Sequence, residues 1–226
     1  MAADPFGWGA IIDWEGTVDA NWFNAGNWIL NNNSGTGVIP PDATTGVVIE
    51  EKGPIPIIDG DAVCARLMIQ QWSWAGAPDF GVDVNSGNVS FGDGVDIADI
   101  GTFDSNTSGK GILTVNGGTV TTPVAGSFGL SIGSQFGLTY GRVVMNGGLV
   151  SVPAVTLNYG DIALYGGTLE CTGDSNFVFS QARYQNKIDV SGGTLQLKGN
   201  YLITSPNVPG LITGKSIVST RGNIGI

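Results

Sequence analysis

The chain has no histidine, two cysteines, and nine lysine and arginine residues among 226. Each scarcity removes a class of function. Without an imidazole there is no His-based triad, no histidine proton shuttle and no histidine metal site. The nine cations are scattered and face 19 carboxylates, for a net charge of −10. A nucleic acid or an anionic membrane surface needs clustered Lys and Arg to displace its counterions, so neither is expected as a partner. No stretch approaches the ~18 consecutive apolar residues of a bilayer span, so no membrane insertion is expected. Charged residues make up 12% of the chain, about half of ordinary usage.

Glycine fills the space. Its 37 residues are more than twice the ordinary share, and they follow no G-X-Y period. With 42% apolar content, the composition points to an ordered core interrupted by many turns.

The turns repeat. "LTVNGGTV" (113–120) returns as "VVMNGGLV" (143–150), "IALYGGTL" (162–169) and "IDVSGGTL" (188–195), and a fifth copy, "VDVNSGNVSF" (82–91), has Ser86 and Gly87 in the Gly-Gly place. Aligned on that pair, Val84, Val115, Met145, Leu164 and Val190 share one apolar column, and Val82, Leu113, Val143, Ile162 and Ile188 share another. Beyond the pair, Val89, Val120, Val150, Leu169 and Leu195 form a third, while the positions between are mostly polar or small. The period of two on both sides predicts strands that meet at a corner.

Successive copies are 31, 30, 19 and 26 residues apart, a spacing that suits fixed strands joined by loops of variable length. A further apolar strand follows each corner: "LSIG" (130–133), "VTLN" (155–158), "FVFS" (177–180) and "YLIT" (201–204). One such unit cannot bury its inward face alone, whereas stacked units put like columns over like at ~4.8 Å. The predicted fold is all-β, a right-handed parallel β-helix (β-solenoid) of on the order of seven to nine coils at that spacing. The alternative is an antiparallel β-sandwich built of hairpins, because Asn-Gly is also a hairpin turn.

The amino-terminal third is of a different kind. Trp8, Trp14, Trp22 and Trp28 lie in it, Trp72 and Trp74 follow, and no tryptophan occurs after residue 74. Residues 1–45 are expected to form an irregular aromatic cap over the open end of coils running from 46 to 226, since an uncovered end exposes ladder groups and core.

A Trp-Gly opening, "DANWFNAGNW", then "IPPDATTGVVI" and "GGTL"-type repeats together resemble the secreted β-helical repeat proteins of bacteria, as in PEP-CTERM-sorted exoproteins and autotransporter-like passenger domains. The resemblance covers nearly the whole chain. It implies a β-helical fold and an extracellular or cell-surface location, in families that include adhesins and matrix proteins. The chain departs from them by ending at "STRGNIGI" without a sorting segment or membrane barrel. The opening "AADPF" is consistent with signal cleavage at an A-x-A type site.

Reactive groups are few. Cys171 shares an inward column with Val152 and Leu197 and reads as core. Cys64 is expected to point outward beside Arg66, with an intermolecular link or a reactive thiol as its alternative role, and not to pair with Cys171, which lies several coils away. Asp93, Asp96 and Asp99 are turn carboxylates, with a Ca²⁺ site as their alternative role; no other cofactor is expected. Polysaccharide cleavage would need two positioned acids or, in a lyase, Arg or Lys beside Ca²⁺ carboxylates, and no basic residue lies between Arg66 and Lys110. Trp72 and Trp74 fall on one face of a strand about 7 Å apart, and with Trp22 and Trp28 they are candidate contacts for a carbohydrate or another subunit.

The expected function is therefore non-enzymatic: a secreted structural or adhesive protein that self-associates at a cell surface or in a matrix. A carbohydrate-binding module for extracellular polysaccharide is the runner-up, and a polysaccharide lyase or glycoside hydrolase comes third. Ile212, Ile217, Val218, Ile224 and Ile226 are the expected stacking residues, on which the aromatic amino-terminal segment of a second copy would dock end to end.

Overall fold

A computed structural model describes residues 10–30, 40–50, 52–69, 78–97, 110–123, 129–133, 140–173, 175–178, 187–199, 201–204, 211–214, 217–219 and 224–225. The described residues form three sheets, one of ten strands and two of seven, and all strand pairs but one are parallel. No α-helix occurs among them. Parallel pairing excludes the hairpin sandwich, whose neighbouring strands would run antiparallel.

The chain visits the sheets in a fixed cycle. Strand Phe80–Ser86 lies in the second sheet, Asn88–Phe91 in the third and Val95–Ile97 in the first, after which Gly111–Val115 returns to the second. The aligned columns coincide with the pairing register: Leu113 lies between Val82 and Val143, and Val143 next to Ile162. Likewise Val120 lies between Val89 and Val150, and Val150 next to Leu169. All of these are buried in one continuous core cluster running from Ile12 to Leu197. Alternation puts every second residue inward and leaves its neighbours half-exposed, as in the pattern of Gly111–Val115.

The paired glycines at the corner between the second and third sheets serve two separate needs. The second of each pair adopts a left-handed conformation, with φ +72° at Gly118 and at Gly148. The first needs closeness instead: a Cβ on Gly117 would lie 2.5 Å from the Asn85 carbonyl oxygen of the preceding rung. Only glycine meets both demands at the ladder spacing.

The amino-terminal segment is more regular than an irregular cap. Ala10–Trp14 is a strand, pairing in parallel with Thr45–Ile49 and antiparallel with Trp28–Leu30, so it extends the first sheet by two strands. Its alternation, with Ile12 and Trp14 facing the core, is short enough to be hidden among the tryptophans. At the other end, Leu211–Gly214, Ile217–Ser219 and Ile224–Gly225 each pair with the preceding strand of their sheet. Ile212, Ile217, Val218 and Ile224 thus lie in strands, and Ile226 lies outside the described residues.

Candidate functional site

Three tryptophans converge at the amino-terminal end of the core. Trp28 meets Trp14 and Trp22 edge to face, with ring centroids 4.9 and 4.8 Å apart. The indole nitrogens donate inward, from Trp14 to the Pro54 carbonyl and from Trp28 to the Trp22 carbonyl, each at 2.8 Å. All three side chains are buried, at no more than 1% exposure. The expectation that Trp22 and Trp28 contact sugar or another subunit is therefore corrected: they close the end of their own chain. An apolar face with a fully satisfied N–H is more stable against the chain's own core than in water.

The segment "DANWFNAGNW" holds these rings in place through a network of side-chain amides. Asn27, fully buried, uses its whole amide. Its Oδ1 accepts from the Val18 and Asp19 backbone N–H groups at 2.9 and 3.1 Å, and its Nδ2 donates to Asp19 Oδ1 at 2.7 Å and to the Asn21 carbonyl at 3.0 Å. Asp19 also accepts from Asn24 Nδ2 and from the Asn21 N–H. Hydrogen bonds from Asn27, then Asn24, then Asn21 hold its carboxyl below the ordinary value. Each Asn or Asp closes a local turn that a plain loop would leave open. Backbone bonds then tie the segment to the second sheet, with Ile57 N–H donating to the Ala20 carbonyl at 2.7 Å and Trp22 N–H to the Ile57 carbonyl at 3.1 Å. The motif was legible in the sequence but the network was not; three asparagines and an aspartate spaced among three tryptophans were its signal.

The cysteines and carboxylates also fall in definite places. Cys64 points into the core at 0% exposure, while its neighbour Val63 is 38% exposed. The expected outward Cys64 is wrong because alternation restarts across the bend at Ala65: Ala62 and Cys64 face inward on one strand, Leu67 and Ile69 on the next. Burial pushes its thiol well above the ordinary range, so it is a poor nucleophile. Cys171 is buried too, and the two cysteines are not joined in a disulfide.

Asp96 faces the outer side of the first sheet but is 3% exposed, and it accepts from Arg66 Nε at 2.6 Å and from Arg66 Nη2. That ion pair replaces the expected Ca²⁺ role of Asp96, since a guanidinium occupies the carboxylate. Asp93 sits at the adjoining corner, its N–H donating to the Ala65 carbonyl at 2.6 Å. Asp99, Trp72 and Trp74 lie outside the described residues. Among the described residues, no three His, Cys, Asp or Glu side chains gather as a metal site requires.

Charge and aromatic groups meet again on the outer face of the second sheet. Arg142, Asp161 and Lys187 stand in one register column, with Arg142 Nε 3.1 Å from Asp161 Oδ2. Burial raises the Asp161 carboxyl above its ordinary value, against the lowering effects of Tyr140 and Arg142. Tyr140 packs edge to face on Tyr159 at 5.0 Å, and Lys110 lies 5.4 Å over the Tyr140 ring. Lys187 in turn pairs with Asp189, Nζ to Oδ2 at 2.8 Å. At the corner between the second and third sheets, Asn85, Asn116 and Asn146 form a ladder of side-chain amides, Asn116 Nδ2 donating to Asn85 Oδ1 at 2.8 Å and Asn146 Nδ2 to Asn116 Oδ1 at 2.7 Å.

Comparison with protein-family models, curated proteins and solved structures finds no match to this chain.

Proposed function

We propose that the protein is a right-handed β-solenoid with a non-enzymatic role, a secreted structural or adhesive element of a cell surface or extracellular matrix that associates with a second copy of itself. The observation that carries the reading is the in-register stack of like columns through three parallel sheets. A chain so built spends its sequence on rigidity and length, with each rung contacting only its neighbours. The lack of histidine and the burial of both thiols support a role without covalent or acid–base chemistry. The burial of Trp14, Trp22 and Trp28 removes these indoles as a sugar platform.

The proposed contact is the edge formed by Leu211–Gly214, Ile217–Ser219 and Ile224–Gly225. Beyond these strands no further strand pairs among the described residues, and an exposed ladder edge is a template for another strand. Trp14, Trp22 and Trp28 face their own core, so in this reading the aromatic docking expected from sequence gives way to contact through the carboxy-terminal rung. Light scattering and negative-stain microscopy over a concentration series test this. Mass should rise with concentration, and Ile212→Pro, which removes a donor in the register column whose N–H groups point towards the next rung, should suppress the rise. A particle of single-chain mass at every concentration would overturn the proposal.

A further inference from the structure

The sequence contains two Asn-Gly pairs, Asn116-Gly117 and Asn146-Gly147. Both asparagines are exposed and both stand in the amide ladder. An Asn-Gly bond is prone to spontaneous deamidation because glycine has no side chain to hinder its nitrogen or to restrict its backbone. In that reaction the glycine nitrogen attacks the asparagine Cγ, the Cγ–Nδ2 bond breaks, and ammonia leaves with the proton that the nitrogen gives up. Water then opens the cyclic imide at either carbonyl, leaving aspartate or isoaspartate.

In the folded chain both reacting groups are engaged elsewhere. The Gly117 N–H and the Asn116 N–H both donate to the Val84 carbonyl of the preceding rung, and the Gly147 and Asn146 N–H groups share the Val115 carbonyl in the same way. The side-chain amides are held along the ladder, but unequally. Asn116 is fixed at both ends, donating to Asn85 and accepting from Asn146. Asn146 is fixed through its donor, and the next position of the column is Tyr165, which brings no amide.

We propose that Asn146 and Asn116 are modification sites whose deamidation the ladder restrains, and that Asn146 converts first. Conversion at Asn146 removes the Nδ2 donor that holds Asn116 Oδ1, so the second site is released by the loss of the first. An isoaspartate also inserts a backbone carbon at a corner without room for it, since a Cβ on Gly147 would lie 2.5 Å from the Asn116 carbonyl oxygen. The column thus loosens from its Tyr165 end towards Asn85.

The test is peptide mapping of the full chain after incubation at mildly alkaline pH, folded and in denaturant. Cleavage after Lys110, Arg142 and Arg183 puts the two asparagines in different peptides. Both sites should convert more slowly folded than denatured, with Asn146 ahead of Asn116. Asn85→Ala should speed Asn116 by roughly fivefold, the worth of one hydrogen bond of ~1 kcal/mol, and leave Asn146 unchanged. Asn146→Ser should speed Asn116 from the other side, and circular dichroism establishes that each variant is folded. Folded-state rates equal to the denatured ones, or an Asn116 rate unmoved by both variants, would overturn the proposal.

Discussion

In the rungs, a side chain sits on near-copies of itself: Val82 under Leu113 under Val143 under Ile162. In residues 10–30 no two contacts are alike, and three indoles meet at right angles over a knot of Asn and Asp side chains. Both arrangements bury apolar surface completely, yet they fail differently. A column is redundant, because each member touches only its neighbours above and below and any branched aliphatic fills the place. The amino-terminal cluster has no spare parts. Trp28 is packed against two rings, Trp14 and Trp22, and donates to the carbonyl of the second, so its loss removes several contacts at once. Repetition gives tolerance that a set of unique contacts lacks.

The largest expected effect would break the rungs. Val150→Asp places a charge at a site 1% exposed, between Val120 and Leu169, and should cost several kcal/mol in chemical denaturation. The same change at Leu149, half-exposed on the outer face, should cost under about 1 kcal/mol. Equal losses would mean that the register assigned to this rung is wrong.

Next comes the end. Trp28→Ala should destabilise by about 3–5 kcal/mol, with hydrogen-exchange protection lost in residues 10–30 and kept in strands Gly111–Val115 and Gly141–Met145. Uniform loss of protection along the chain would show that the end and the rungs unfold as one unit.

Asn27→Ala is expected to be smaller. It leaves the Val18 and Asp19 N–H groups without their acceptor, at a cost of about 1–3 kcal/mol. Fluorescence of the tryptophan cluster should shift to the red as water reaches it, while Asn85→Ala in the exposed ladder should leave that emission unchanged.

The smallest difference is in acid. The Asp19 carboxyl is held below its ordinary value of 3.8, so its contribution is present above that value and is lost as pH falls through the lowered one. Asp161, raised from 3.8 by burial, acts oppositely: its contribution is present below the ordinary value and lost as pH rises through the raised one. Acidification to about pH 3, below the ordinary carboxylate range, should loosen residues 10–30 before the rung containing Asp161. Exchange rates in the two regions, followed along the titration, would show whether that order holds.

Much of this was legible in the residues because a stacked ladder writes its own alignment. Gly-Gly pairs and apolar columns repeat wherever the geometry repeats, whereas the amide ladder of Asn85, Asn116 and Asn146, one place before the pair, emerges only from the structure. The inward position of Cys64 was not legible because alternation defines the faces of one strand, but a bend such as that at Ala65 resets the phase, and nothing in the sequence states by how much. Asp96 was misread because its partner Arg66 is 30 residues away, one rung back, beyond the reach of local spacing.

The sequence by itself determined the strands, their inward columns, the corners and the absence of imidazole chemistry, since these follow from periodicity and composition. Only the tertiary structure decided that the tryptophans turn inward, that Asp96 belongs to Arg66, that Ala10–Trp14 joins the first sheet, and how firmly each Asn-Gly bond is held. Those outcomes depend on which residues meet across rungs, and loops of unequal length set that meeting.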